Sequence, residues 1–121
     1  MRSRPFAILA LMLSLLFAAG PVLAETLTFR VQSKHPNVVD VEFYSRTRSA
    51  VWPGDKKVYS IKDDEKHSYK LSCSPGERIC YGAWVRGGPT VFWGSGQGGK
   101  QGCRNCCYTC DGGVAEVVLN R

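Results

Sequence analysis

The sequence predicts a small all-β protein, an antiparallel β-sandwich of about seven short strands that is stapled by disulfide bonds. Short runs of alternating apolar and polar residues follow one another along the chain, separated by turns rich in glycine and proline. All six cysteines lie between positions 71 and 113. No stretch repeats its apolar residues at the 3.6-residue period of a long helix, so short strands packed as a sandwich are the expected architecture.

The first 24 residues have the organisation of a secretory signal peptide. Arg2 and Arg4 form a basic start, an apolar run extends from Phe6 to Ala19, and Val22-Leu23-Ala24 supplies the residues that a signal peptidase reads. The apolar run is shorter than the ~20 residues that a membrane-spanning helix usually needs. We therefore expect residues 1–24 to be a signal peptide and residues 25–121 to be a single disulfide-rich β domain. We also expect export to the periplasm or the medium, and no membrane span in the mature chain.

The charge of the mature chain is mildly positive. Removing Arg2 and Arg4 lowers the number of basic residues from 16 to 14 while all 10 acidic residues remain, so the net charge falls from +6 to +4. The basic residues are scattered, and Lys56-Lys57 is the longest basic run. Because nucleic-acid-binding proteins usually concentrate their positive charge on one face, no specific nucleic-acid partner is expected.

The first two strands are predicted over residues 25–32 and 38–45, where apolar residues alternate strictly with polar ones. The turn between them contains Pro36, which cannot donate to a strand ladder. We expect these two strands to form an antiparallel pair. A loop over residues 46–55 follows, with a turn at Trp52-Pro53-Gly54.

Five further strands are predicted over residues 57–62, 66–73, 78–86, 90–93 and 114–119. The turn Ser74-Pro75-Gly76-Glu77 suggests that the strands on either side of it form a hairpin. Residues 94–102 read GSGQGGKQG and predict a flexible loop, which leads directly into the cluster of cysteines.

The cysteines are interpreted first as three structural disulfides, because a small exported domain with an even number of cysteines gains stability from them. The six residues are Cys73, Cys80, Cys103, Cys106, Cys107 and Cys110. The last four have the spacing C-x2-C-C-x2-C, and a short helical turn there would align their sulfurs on one face. We expect Cys73 and Cys80 each to bond into this cluster and not to each other, although spacing alone leaves 15 pairings open.

Two other interpretations of the cysteines remain. Paired C-x2-C units are common zinc ligands, so Cys103, Cys106, Cys107 and Cys110 could form a structural zinc site. On a straight helix, however, the Cα atoms of Cys103 and Cys110 would lie ~10 Å apart, which is far for a single tetrahedral ion. A secreted thiol–disulfide oxidoreductase is the third interpretation, but the βαβ context of that motif is missing.

The sequence contains no recognised catalytic constellation. G-x-S-x-G, P-loop and H-E-x-x-H motifs are all missing, and His35 and His67 lie in polar, turn-like surroundings. The acidic run Asp63-Asp64-Glu65 lacks the spacing of a calcium loop. We therefore expect a protein that is not an enzyme and that has no cofactor, with zinc as the alternative.

Aromatic residues beside glycine-rich turns are the candidates for ligand contact. Trp52, Phe92 and Trp93 are the candidate ligand-binding residues, whereas Trp84, inside a strand, is expected to fill the core. These features favour an exported, non-enzymatic binding or interaction module, and we expect its binding surface to be the aromatic and glycine-rich loops around Trp52 and Phe92–Gly102. The sequence does not identify its partner; a protein or a polysaccharide at the cell envelope would fit exposed aromatic side chains.

Several short motifs resemble those of a group of small, exported, cysteine-rich bacterial proteins. The motifs are GERICYGAW, FWGSG and CRNCC-x2-C, together with VEFYS and VWPG nearer the amino terminus. The similarity covers most of the mature chain. It implies a periplasmic or secreted setting, but supplies neither an activity nor functional residues.

Overall fold

The computed structural model describes residues 24–121, so all but the last residue of the predicted signal peptide lies outside the described part. Within that part the chain forms nine strands and one short 3₁₀ turn. The strands are β1 (Glu25–Ser33), β2 (Val39–Ser45), β3 (Val51–Trp52), β4 (Tyr59–Ile61), β5 (Lys66–Cys73), β6 (Arg78–Val85), β7 (Gly88–Gly94), β8 (Cys107–Thr109) and β9 (Val114–Leu119). The prediction of a disulfide-stapled all-β fold is confirmed. The two strands beyond the predicted seven are the short β3 and β8.

The strands form two sheets. The smaller sheet has the order β5-β1-β9, and its β1 and β9 run parallel. In the larger sheet β3 and β4 both pair with one edge of β2, β6 pairs with the other edge, and β7 and β8 lie end to end along the far edge of β6. Every pair in the larger sheet is antiparallel.

Two strand pairings expected from the sequence are wrong. Strand β1 does not pair with β2, and β5 does not form a hairpin with β6, because the chain crosses from one sheet to the other at both turns. The rings of Phe29 in β1 and Phe43 in β2 instead stack across the interior, with their centroids 4.5 Å apart. Alternation correctly identified the buried faces of β1 and β2, but it carries no information on which strand lies beside each of them.

The core lies between the apolar faces of the two sheets. Its fully buried side chains include Leu27, Phe29, Val31, Val39, Val41, Phe43, Ile61, Leu71, Ile79 and Leu119. Burying such side chains contributes about 1.5–3 kcal/mol each to folding before the cost of ordering the chain. The core fixes the spacing of the sheets and thereby positions the surface loops.

Strand β6 is buried on both of its faces. Ile79 and Ala83 face the core, while Cys80, Gly82 and Trp84 face the other side of the larger sheet and are also buried. A further layer therefore covers this outer face. The layer is the segment between β7 and β8, which includes a 3₁₀ turn at Gln97–Gly99.

The short helical turn considered for Cys103–Cys110 does not form. This segment is irregular up to Cys106 and then extended, since Cys107–Thr109 pairs with Arg78–Cys80 as strand β8. In a strand successive side chains point to opposite sides, so the four sulfurs cannot share one face as they would on a helix. Pairing with β6 supplies backbone hydrogen bonds that an isolated helical turn of this length could not match.

Candidate binding groove and cysteine cluster

The segment between β7 and β8, here called the covering loop (residues 95–106), lies directly on the larger sheet. A Cβ atom at position 82 would overlap the carbonyl oxygen of Gly96 and would lie 2.9 Å from the Tyr44 ring. Gly82 is therefore required, because any side chain at this position would push the loop away from the sheet. Ser95 is fully buried, and its Oγ donates to the carbonyl oxygen of Tyr81 at 3.1 Å.

Tyr44 anchors the 3₁₀ turn of the covering loop. Its hydroxyl donates to Glu42 Oε1 at 2.6 Å, and its ring lies against Gly99, where a Cβ atom would come within 3.3 Å of the ring. Burial is the main cause that raises the pKa of Tyr44 far above its ordinary value, and the hydrogen bond to Glu42 and its charge act in the same direction. The hydroxyl is therefore protonated at neutral pH and donates to Glu42.

A groove of about 670 Å³ opens between β7 and the covering loop. It is lined by Pro89, Thr90, Phe92, Gln97, Gly98, Lys100 and Gln101. Phe92 is 39% exposed, although its cross-strand neighbour Trp84 is buried. The groove thus offers one aromatic ring, two side-chain amides, a hydroxyl and a single positive charge.

The three aromatic residues selected from the sequence do not form one surface. Phe92 lies on the outer face of the larger sheet and lines the groove. Trp93, the next residue, points to the inner face and packs against the core, and its Nε1–H donates to the carbonyl oxygen of Asn120 at 2.9 Å. The edge of its ring also meets His35, with ring centroids 5.8 Å apart.

Trp52 lies at the opposite edge of the larger sheet. It pairs with Phe43 in the ladder between β2 and β3 and packs against the core. The Arg48 guanidinium lies 5.7 Å from the centroid of its ring, which is within cation–π range. With strands β2 and β6 between them, Trp52 and Phe92 cannot contact the same small ligand.

The cysteines form three pairs at disulfide distance, and none is free among the described residues. The pairs are Cys73–Cys110, Cys80–Cys107 and Cys103–Cys106. Cys73 and Cys110 are both buried in the core, where their bond joins the end of β5 to the segment before β9. Cys73 and Cys80 thus both pair with cysteines of the C-x2-C-C-x2-C run, as expected from the sequence.

The other two pairs lie against each other and form a group that we call the sulfur cluster (Cys80, Cys103, Cys106 and Cys107). The Sγ atoms of Cys106 and Cys107 are 3.7 Å apart, and those of Cys80, Cys106 and Cys107 all lie within 4.8 Å of one another. The structure therefore does not assemble the zinc ligand set considered from the sequence, because Cys110 is bonded to Cys73 in the core.

Glu77 is a buried carboxylate that the sequence did not single out. Its side chain is 1% exposed, and it accepts hydrogen bonds from Arg48 Nε at 2.7 Å and from the backbone N–H of Ser74 at 2.9 Å. Burial acts to raise the pKa of Glu77, but the hydrogen bonds from Arg48, Ser45 and Ser74 together hold it below its ordinary value. These contacts fasten the loop after β2 to the turn before β6, which is a structural role.

The two histidines lie outside the groove. His35 packs against Trp93, and His67 forms a 2.6 Å contact with Asp63 on the smaller sheet. The hydrogen bond from His67 lowers the pKa of Asp63. The groove residues Gln97, Lys100 and Gln101 lie in the glycine-rich loop that the sequence indicated as part of the binding surface, although the sequence did not single out these three side chains.

Within residues 24–121 no helix has the length and apolar character needed to cross a membrane. Comparison of the chain with protein-family models, with curated proteins and with solved structures found no significant match.

Proposed function

We propose that this protein is an exported, non-enzymatic binding module whose ligand occupies the groove between β7 and the covering loop. The observation that carries the proposal is the exposure of Phe92. Its ring is 39% exposed in a concave site, while the aromatic and aliphatic side chains around it on β6 are buried. A large apolar side chain exposed in a cleft is a common feature of ligand contact.

The chemistry of the groove favours a polysaccharide over a purely apolar ligand. The amides of Gln97 and Gln101 each donate and accept hydrogen bonds, which suits sugar hydroxyls, and the face of an aromatic ring suits the C–H face of a sugar. Lys100 is the only charged side chain that lines the groove. A chain bearing carboxylates would therefore bind better than a neutral one.

The walls of the groove are held in place before any ligand arrives. The ring of Tyr44 packs against Gly99, and the Oγ of Ser95 donates to the carbonyl oxygen of Tyr81. A site that is already ordered loses less conformational entropy on binding, which favours higher affinity for a ligand in a small groove. The predicted signal peptide and the three cysteine pairs support an extracellular or periplasmic setting.

The test is titration of the isotope-labelled mature protein with a polyuronate and, separately, with a neutral glucan, followed by NMR chemical shifts. We expect the polyuronate to perturb the backbone signals of residues 89–101 and the Phe92→Ala variant to lose at least tenfold in affinity. The matched control is Val91→Ala, which removes the neighbouring side chain, 46% exposed, on the opposite face of β7. Its affinity should equal that of the wild type.

Two results would overturn the proposal. If neither polymer shifts the NMR signals of the groove residues, a polysaccharide ligand is ruled out for this site. Equal losses of affinity in the Phe92→Ala and Val91→Ala variants would show that the ligand binds outside the groove. A Lys100→Gln variant that binds the polyuronate as tightly as the wild type would contradict the preference for negative charge.

A further inference from the structure

The sulfur cluster brings two cysteine pairs into direct contact. Cys80 and Cys107 link β6 to β8, and the Cys103–Cys106 pair lies beside them with Cys106 Sγ 3.7 Å from Cys107 Sγ. Cys106 and Cys107 are adjacent in sequence, so the two disulfides that they form meet at this point. Four sulfur atoms are therefore gathered at one place on the outer side of the larger sheet.

The sulfurs of Cys106 and Cys107, which belong to different disulfides, are spaced as in a tetrahedral metal site. Zinc–sulfur bonds of about 2.3 Å place the sulfurs of a tetrahedral site roughly 3.8 Å apart. The Cys106–Cys107 separation is 3.7 Å, and the Sγ atoms of Cys80, Cys106 and Cys107 already lie within 4.8 Å of one another. We propose that Cys80, Cys103, Cys106 and Cys107 form a redox-dependent zinc site, which holds Zn²⁺ when their two disulfides are reduced.

A dithiol can reduce the two disulfides of the sulfur cluster with electrons and protons in balance. Two dithiol molecules give four electrons and four protons to the two disulfides, yielding four protein thiols, and each dithiol leaves as a cyclic disulfide. Zn²⁺ then binds four thiolates, and the four thiol protons go to solvent. Two molecules of the cyclic disulfide reverse the exchange: they accept four electrons from the four thiolates and four protons from solvent, leave as dithiols, and so restore both protein disulfides and release the ion.

Arg46 is placed to stabilise the metal-bound form. Its Nε–H donates to Cys80 Sγ at 3.3 Å, and its backbone N–H donates to the carbonyl oxygen of Arg78 at 2.8 Å. Zn²⁺ with four thiolates carries a net charge of −2, and a guanidinium beside one sulfur offsets part of that charge. Such outer contacts to a ligand typically change metal affinity by about 10–100-fold.

Access to a reductant distinguishes the sulfur cluster from the third cysteine pair. Cys73 and Cys110 are both buried in the core, whereas Cys103 and Cys107 are partly exposed. Because thiol–disulfide exchange requires an approach to sulfur, a dithiol reaches the sulfur cluster first. The Cys73–Cys110 bond then keeps β5 joined to the segment before β9 while the cluster changes state.

The first experiment uses the wild-type protein and anaerobic reduction with a limiting dithiol, followed by one equivalent of Co²⁺ as a spectroscopic substitute for Zn²⁺. We expect one bound ion per chain, with thiolate-to-metal absorption and the intense visible bands of tetrahedral cobalt. Alkylation of the Zn²⁺-loaded protein, followed by peptide mass spectrometry, should show Cys80, Cys103, Cys106 and Cys107 protected. A reduced protein that binds no Co²⁺ would overturn the proposal.

Paired variants then distinguish this ligand set from Cys103, Cys106, Cys107 and Cys110. Cys80→Ser and Cys110→Ser each remove one cysteine and one disulfide, so they are matched. We expect Cys80→Ser to weaken Co²⁺ binding by more than about 100-fold, since it removes a direct ligand, and Cys110→Ser to leave the affinity within about threefold. The reverse order of the two affinities would show that Cys110, and not Cys80, is a ligand of the metal site.

Discussion

Arg48 and Glu77 form a charged pair that joins two loops distant in sequence. Arg48 Nε lies 2.7 Å from Glu77 Oε2, and Arg48 Nη2 lies 3.2 Å from Glu77 Oε1, so both carboxylate oxygens are engaged. The Glu77 side chain is 1% exposed and that of Arg48 is 51% exposed. The acid is therefore buried and depends on its donors, whereas the base remains largely in water.

Stability should fall in acid because of Glu77. Its pKa is lowered in the folded protein, so the ionised carboxylate stabilises the fold above the unfolded-state pKa of about 4.3. This contribution is lost as the pH falls through the lower, folded-state pKa. Urea unfolding of the wild type between pH 7 and pH 2 should show the loss, and Glu77→Gln should flatten the profile over this range.

The Glu77→Gln variant should also be less stable at pH 7, by about 1–3 kcal/mol, because a buried group loses charged hydrogen bonds. Its matched control is Glu116→Gln, which breaks the exposed Arg30–Glu116 pair, with side chains 42% and 53% exposed. That change should cost less than about 1 kcal/mol. Equal costs in the two variants would show that burial of Glu77 does not matter to the fold.

The Gly82→Ala substitution should destabilise the protein by about 1–3 kcal/mol, because the added methyl group meets the backbone of Gly96. The control is Gly102→Ala, where an added Cβ has no atom within 4 Å and the backbone is not in the left-handed region. That variant should be neutral or slightly stabilising. Thermal unfolding of both proteins provides the measurement, and a neutral Gly82→Ala would mean that the covering loop moves without cost.

The Cys73–Cys110 pair should contribute more to stability than the Cys103–Cys106 pair. The sequence separations are 37 and 3 residues, so loop-closure entropy predicts about 4 and about 2 kcal/mol respectively. Replacing both cysteines of each pair by alanine and measuring urea unfolding under oxidising conditions tests the order. The reverse order would show that the native contacts of the covering loop outweigh chain entropy.

Trp93→Ala should reduce stability more than Phe92→Ala, although the two residues are adjacent. Trp93 packs against the core and donates to Asn120, so its loss should cost about 2–4 kcal/mol. Phe92 is 39% exposed, so Phe92→Ala should lower the free energy of unfolding by about 1 kcal/mol or less. Chemical denaturation compares them directly, and a larger cost for Phe92 would assign it to the core and not to a binding surface.

The sequence was a good guide to individual strands but a poor guide to their neighbours. Alternation located the buried faces of β1 and β2 because each strand has one face in the core. It could not show that these strands belong to different sheets, since that depends on contacts made elsewhere in the chain. The alternation of apolar and polar residues was also uninformative for β6, because both faces of this strand are buried and its sequence does not distinguish them.

The candidate site was harder to anticipate than the fold. Phe92 and Trp93 look alike in sequence, yet the strand geometry sends one ring to the groove and the other to the core. Gln97, Lys100 and Gln101 became visible only once the covering loop was placed on the sheet. For the cysteines, the sequence predicted that Cys80 bonds into the carboxy-terminal cluster, and the pairing of β6 with β8 places Cys80 opposite Cys107.

The parallel pairing of β1 with β9 also constrains the order in which the protein can mature. Strand β1 lies in the middle of the smaller sheet, between β5 and β9, so its second edge stays open until residues 114–119 are available. While the chain is being made, β1 cannot complete its pairing in the sheet until β9 is present. Contacts between such distant segments slow folding, and a carrier that shields the open edge of β1 would shorten the interval in which chains can aggregate.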